Sequence, residues 1–223
     1  MGTSLAITAS IVALSAVAFF LSAAVLRRFL RQRQLYHLYW GVGLFLVFVT
    51  LAQEAALYGG FWSQLLIRSY LVLVALLVGV LSLGSAELSL PRVWKKVWFG
   101  YIAVACLALG VIGAFCSVSP SIVVTGVVSG VPSPPVLVAS SLVTIPGAAL
   151  LILSSLYGAL REKRYHLLYI TFGTVIISAS GALYLVAFPV SLYYAEFLGI
   201  ALLFLGFVKI PGIRLRTAHA ATS

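Results

Sequence analysis

The stretch "RRFLRQRQLYHLYW", Arg27–Trp40, places four arginines ahead of a Tyr-His-Leu triplet and an apolar run. The same order returns as "REKRYHLLY", Arg161–Tyr169, with Arg161, Lys163 and Arg164 ahead of Tyr165-His166-Leu167. Cationic side chains are costly in a hydrocarbon layer, so each cluster marks a connection held at a membrane surface. Long apolar runs flank both clusters and recur down the chain. Of 223 residues, 63% are hydrophobic and 8% charged, with a mean hydropathy of +1.17. That leaves too little polar surface to clothe a water-soluble domain. The sequence predicts an all-α integral membrane protein.

Working outward from the two clusters, the apolar runs divide into seven predicted transmembrane helices at about 4–26, 36–58, 63–88, 94–116, 136–160, 166–187 and 191–210. Each is long enough to cross a hydrocarbon core of roughly 30 Å. Gly59-Gly60, Pro91, the loop "SVSPSIVVTGVVSGVPSPP" and Phe188-Pro189 punctuate the runs. Every second connection is basic: Arg27, Arg28, Arg31 and Arg33, then Arg92, Lys95 and Lys96, then Arg161, Lys163 and Arg164, and finally Lys209, Arg214 and Arg216. Only Arg68 falls toward the other side. The positive-inside rule then puts the N-terminus outside and the C-terminus inside. The first run has no basic residues before it and its positive charges after it, the pattern of a retained N-out helix and not of a cleaved signal peptide.

The formal charge of +10 does not indicate a nucleic-acid partner, because the basic residues are dispersed among the connections and form no continuous surface. Cys106 and Cys116 share one predicted helix, about 15 Å apart along it, too far for a disulfide. They are expected to be packing residues.

The two opening motifs extend into longer parallels. Tyr36-His37 matches Tyr165-His166, Ala56-Leu57-Tyr58 matches Ala182-Leu183-Tyr184, Phe61 matches Phe188, and Gly79 matches Gly206, all in order. Apolar segments resemble one another by chance, but here the charge punctuation repeats with them. The expectation is a 3+1+3 internal repeat: unit A at about 4–88, a linker helix at about 94–116, an outer loop at about 117–135, unit B at about 136–210 and a cytoplasmic tail at about 211–223. One linker helix returns the chain, so both units cross in the same direction. This is the parallel arrangement of SWEET-type transporters. The likeness is one of topology alone, since neither helix 1 nor helix 5 carries a Pro-Gln pair.

Three ionisable residues fall within the spans near their outer ends: Glu54, Arg68 and Glu196. Charges at that depth need a partner or a water-filled cavity. They are expected either to lock helices as an ion pair, Arg68 with Glu54 or Glu196, or to leave one carboxylate for a solute, proton or cation. Small polar residues recur at helical spacing: Thr171, Thr174 and Ser178 on one face of helix 6, Ser140, Thr144 and Ser154 on helix 5, and Thr8, Ser15 and Ser22 on helix 1. Their first use is close packing; a pathway lined by Thr171, Thr174 and Ser178 is the second.

No nucleophile elbow, metal-spaced His/Glu set or glycine-rich phosphate loop is present, so neither an enzyme nor a metal site is expected. A histidine pair can ligate haem, but His37 and His166 each follow a tyrosine and a basic loop, the place of an interfacial aromatic belt. Lys209 lies beside Pro211 at an inner helix end, where a snorkelling charge is a simpler account than a retinal Schiff base. No cofactor is expected. The valines and glycines of the loop Ser121–Pro135 read as a short hairpin or cap over the outer mouth. The expected role is a multi-pass carrier or channel for a small solute, proton or cation in the plasma membrane. The alternative is a non-catalytic subunit, anchor or sensor working with a membrane partner or as a homo-oligomer.

Overall fold

The structure, a computed structural model, describes the backbone of residues 2–61, 63–116, 123–124, 127–128, 133–161, 163, 165–184 and 189–208. Side chains are described for residues 10–61, 63–116, 133–161, 163, 165–177 and most of 195–206. Seven α-helices account for nearly all of it: α1 (Gly2–Gln32), α2 (Leu35–Tyr58), α3 (Gln64–Ser89), α4 (Arg92–Phe115), α5 (Pro134–Arg161), α6 (Leu168–Tyr184) and α7 (Pro189–Val208). A 3₁₀ turn at Tyr165–Leu167 leads into α6. Five helices, α1 to α5, are long and apolar enough to cross a membrane by length and composition. The protein is a helical, membrane-type bundle.

Helix ends follow from local chemistry. α1 outruns its apolar segment and stays helical through Arg27, Arg28 and Arg31, because arginine is a good helix former once its charge has reached a polar layer. It stops where Arg33 turns left-handed, at φ 54°, with Arg33 N donating to Phe29 O at 2.7 Å. α2 ends at Gly59-Gly60. Gly60 adopts φ +84°, while Gly59 N donates to Ala55 O and Phe61 N to Ala56 O. Ser63 caps α3 by accepting from Leu66 N at 3.2 Å. Pro134 and Pro189 open α5 and α7, where a missing N–H costs nothing. The predicted hairpin is present as β1 (Val123–Val124) and β2 (Val127–Val128), paired antiparallel with Val124 opposite Val127.

Six helices form a ring in the order α1, α2, α3, α5, α6, α7, with α7 returning to α1. α4 stands outside it against α3 and α5, its far face presenting Val93, Val104, Leu107 and Phe115 outward. Lipid offers no hydrophobic drive toward association, so helices hold together by close packing and by hydrogen bonds across their seams. Glycines set the closest approaches. Any side chain on Gly84 would run into the Trp40 ring, and one turn away a Cβ on Gly43 would lie 2.5 Å from Leu81 Cδ2. On the other side of the ring, Gly206 faces Ile170, and a Cβ on Gly173 would lie 3.1 Å from Leu203 Cγ. The inner core is Leu21, Val25, Trp40, Leu44, Leu81, Leu151, Ile170 and Leu203, drawn from all six ring helices. Truncating Trp40 to Ala there costs about 3–5 kcal/mol, whereas an interhelical hydrogen bond averages about 0.6 kcal/mol in a membrane. Shape complementarity dominates.

Pro146 lies inside α5. Proline has no N–H, so the carbonyl four residues earlier, Leu142 O, loses its helical donor. Tyr101 of α4 supplies one: its hydroxyl donates to Leu142 O at 2.5 Å. In hydrocarbon no water would take that role. Tyr101→Phe is therefore expected to lower unfolding stability in micelles by about 1–3 kcal/mol, the cost of a carbonyl left unsatisfied away from water. In a Pro146→Ala background most of that loss should vanish, because alanine restores the helical N–H. Additive losses in the double-mutant cycle would refute this account.

Candidate functional site

α2 carries Val47, Thr50, Leu51 and Glu54 at spacings of three and four, so all four side chains share one face. That face turns into the ring, and Glu54 is only 5% exposed. Across from it α3 brings Tyr70, Val74, Leu77, Val78 and Leu81, again at helical spacing. α5 contributes Ala148 and Leu151, α6 contributes Thr174 and Ile177, and α7 contributes Ile200 and Leu203. Between these five helices lies a cavity of about 160 Å³.

Its walls are apolar with few exceptions. Thr50 and Thr174 are buried, and each hydroxyl donates to its own helix, Thr50 to Val47 O at 2.9 Å and Thr174 to Ile170 O at 2.8 Å. Each hydroxyl oxygen retains lone pairs toward the cavity. Glu54 brings a carboxylate and Tyr70 a phenol. These two stand toward the helix ends joined by Gly59-Gly60, opposite the basic connections. At the other end Leu44, Leu81, Leu151 and Leu203 belong both to the cavity wall and to the core around Trp40. Packed side chains thus stop the cavity on the basic side.

Arg68 does not join Glu54. Its guanidinium donates from Nη1 to Ala114 O of α4 at 2.8 Å and from Nη2 toward Gln64 Oε1 at 3.5 Å. Ala114 is one of the last residues of α4, whose terminal carbonyls lack helical donors and carry the negative end of the helix dipole. Arg68 is a C-terminal clamp on α4. Among the described residues the ion pair is Lys95–Glu87, at 3.0 Å, at the basic end. Glu196 lies on α7 and Ser178 on α6, but both side chains fall outside the described residues.

The polar stripe of helix 6 divides by role. Thr174 reaches the cavity, whereas Thr171 shares a 2.8 Å hydrogen bond with Ser155 Oγ and ties α6 to α5. Ser140, Thr144 and Ser154 donate to carbonyls of their own helix, and Ser22 donates across to Gly41 O at 2.8 Å. Ser140, Thr144 and Ser154 are not among the residues that line the cavity. Sequence reasoning missed Thr50 and Tyr70. The first had a usable signal, a hydroxyl four residues before an intramembrane carboxylate.

Comparison of the chain with protein-family models, with curated proteins and with solved structures found no match.

If Arg68 clamps α4 and is not the counter-ion of Glu54, the two residues act independently. Arg68→Ala should reduce unfolding stability by about 1.5–3 kcal/mol, the range for hydrogen bonds from a charged group. Combined with Glu54→Gln, the losses should add to within about 0.5 kcal/mol. A coupling well above that in the double-mutant cycle would restore the direct pair.

Proposed function

We propose that this protein is a seven-span carrier for a small solute, with its N-terminus outside and its C-terminus inside. The observation that carries the reading is the cavity among α2, α3, α5, α6 and α7, which holds an intramembrane carboxylate and the hydroxyls of Thr50, Tyr70 and Thr174 in an otherwise apolar wall. Polar groups are expensive at that depth, so a bundle built only for packing has little use for them beside a void. The role requires no covalent chemistry.

A parallel 3+1+3 repeat is part of the proposal, and packing supports it beyond the sequence parallels. The pair α2/α3 meets through Trp40 on Gly84 and Gly43 on Leu81. The pair α6/α7 meets through Ile170 on Gly206 and Gly173 on Leu203. In both, three residues forward on the first helix correspond to three residues back on the second. This register couples Gly206 to Gly84 and displaces the Gly79 match made from sequence order. Arg33 and Lys163, the non-glycine residues with positive φ among those described, also shortly precede the two Tyr-His-Leu motifs, by three residues and by two. Duplicated units rocking about a shared cavity are the usual scaffold of alternating access.

Two measurements test the proposal. In a variant with Cys106 and Cys116 replaced by alanine, single cysteines at Phe61 and Lys163 are expected to react with an impermeant thiol reagent from opposite sides of the membrane. Reaction from one side would overturn the seven-span orientation. Purified protein in proteoliposomes is expected to exchange its solute across the bilayer and to be stabilised thermally by it. Stoichiometric co-purification with a partner, without exchange, would favour the subunit reading instead.

A further inference from the structure

The inner core reaches the basic end of the ring through Val25 of α1 and Trp40 of α2. Ser22 Oγ donates to Gly41 O at 2.8 Å, and a Cβ on Gly41 would lie 2.6 Å from Leu26 Cδ2, so α1 and α2 are held in close register there. One turn nearer the basic connection, Arg28 follows Val25 on its face of α1, and His37 precedes Trp40 on its face of α2. The register brings these two residues together, and the charge of Arg28 acts on the His37 ring. His37 is only 6% exposed. Its Nδ1 is buried, and among the described residues nothing hydrogen-bonds to it. Buried polar atoms seldom go unpaired.

From this juxtaposition we propose that Arg28, His37 and the first turn of α2 bind a phosphate group at the basic end of the ring. The site is separate from the cavity and does not rest on the carrier reading.

Charge fixes the sign of the ligand. Arg27, Arg31 and Arg33 are exposed around Arg28. Among the described residues Arg28 has no carboxylate partner, and Glu87, at this same end, is paired with Lys95. α2 adds a helix N-terminus, where the first N–H groups have no helical acceptor and the dipole is positive. Gln34, at the N-cap, makes no side-chain cap bond; its Oε1 accepts from the Tyr36 hydroxyl instead. Side chains on a helix tilt toward its N-terminus, so His37, the third residue of α2, leans toward that same turn.

The donors then select the anion. A guanidinium fork and a helix N-terminus are both suited to phosphate oxygens. With its proton on Nδ1, the His37 ring supplies a third N–H. Donors from three directions suit the tetrahedral oxygens of a phosphate better than the two coplanar oxygens of a carboxylate. Reaching the buried Nδ1 takes a side-chain movement, which Arg28, long and only partly buried, supplies as it turns onto the anion. Two sources present this group at a basic membrane surface: the headgroup of phosphatidic acid and free inorganic phosphate.

The full chain in phosphatidylcholine nanodiscs is titrated with inorganic phosphate, against sodium chloride at matched ionic strength. A second series of nanodiscs contains phosphatidic acid, against discs given the same surface charge by a fatty acid. The thermal unfolding midpoint reports binding. At least one phosphate source is expected to raise it beyond its control. Arg28→Gln and His37→Phe should each weaken that binding at least about fivefold, whereas Arg31→Gln should change it by less than about twofold. Arg28→Gln alters a partly exposed residue and so tests the site even where His37→Phe fails to fold. A response to inorganic phosphate assigns a soluble ligand, and a response confined to phosphatidic acid assigns a lipid headgroup. No response beyond the controls from either source would overturn the proposal. Equal losses in Arg28→Gln and Arg31→Gln would overturn it too, because they mark a diffuse basic surface and not a site.

Discussion

Hydrocarbon surrounds most of this chain, and hydrocarbon neither completes a broken hydrogen bond nor rewards two apolar helices for meeting. Every contact that orders the bundle has to be made by fit or by a donor placed on an acceptor. Trp40 against Gly84 and Leu81 against Gly43 are contacts of fit, possible only because the glycines have no side chain to displace. Tyr101 on Leu142 O and Arg68 on Ala114 O are contacts of the other kind. Each supplies a donor to a carbonyl that its own helix leaves open, one above a proline and one at a helix terminus.

The cavity stands against that background. Ring helices that pack through leucine and glycine around Trp40 leave a void beside Thr50 and Glu54. A buried carboxylate is costly wherever it sits, and costlier in a wall otherwise built of leucine, valine and isoleucine. α2 has no shortage of apolar alternatives, since its neighbours on the same face are Val47 and Leu51. The proposed carrier role draws on that contrast between one carboxylate and its apolar neighbours, and it is independent of any repeat.

Much of this was legible in the sequence because charge and helix-breaking residues act locally. Arg33, Gly60, Ser63 and Pro134 each determine a helix end through their own backbone or side-chain chemistry, and the seven helices follow. What was not legible depends on rotation and on partners distant in sequence. Residue counting puts Glu54 and Arg68 at one level, but it does not give their different neighbours. Arg68 reaches a residue 46 positions away, on a helix read from sequence as a mere linker. Similarly, Gly79 and Gly206 align by order along the chain. Yet Gly79 faces Val143 of α5 and Gly206 faces Ile170 of α6, so their surroundings differ. Sequence order tracks ancestry loosely and packing register closely only when loops keep their length.

The role of α4 changes with these contacts. It lies outside the ring, and most of its surface is apolar and outward-facing. Its inward side nevertheless grips α3 and α5 together: Arg68 of α3 holds its last turn, Tyr101 binds α5 beside Pro146, and Leu109 packs with Ala75, Ala139 and Val143. α3 and α5 form one of the two seams at which the proposed units meet, α1 with α7 being the other, and both α3 and α5 line the cavity, α5 through Ala148 and Leu151 just beyond the proline. A helix that spans this seam at two levels restrains how far the units can separate. Because α5 lacks one internal hydrogen bond at Pro146, its bending resistance is lowest between the residue α4 holds and the residues the cavity uses. In the proposed carrier, a movement of the α5 wall of the cavity is most easily accommodated there.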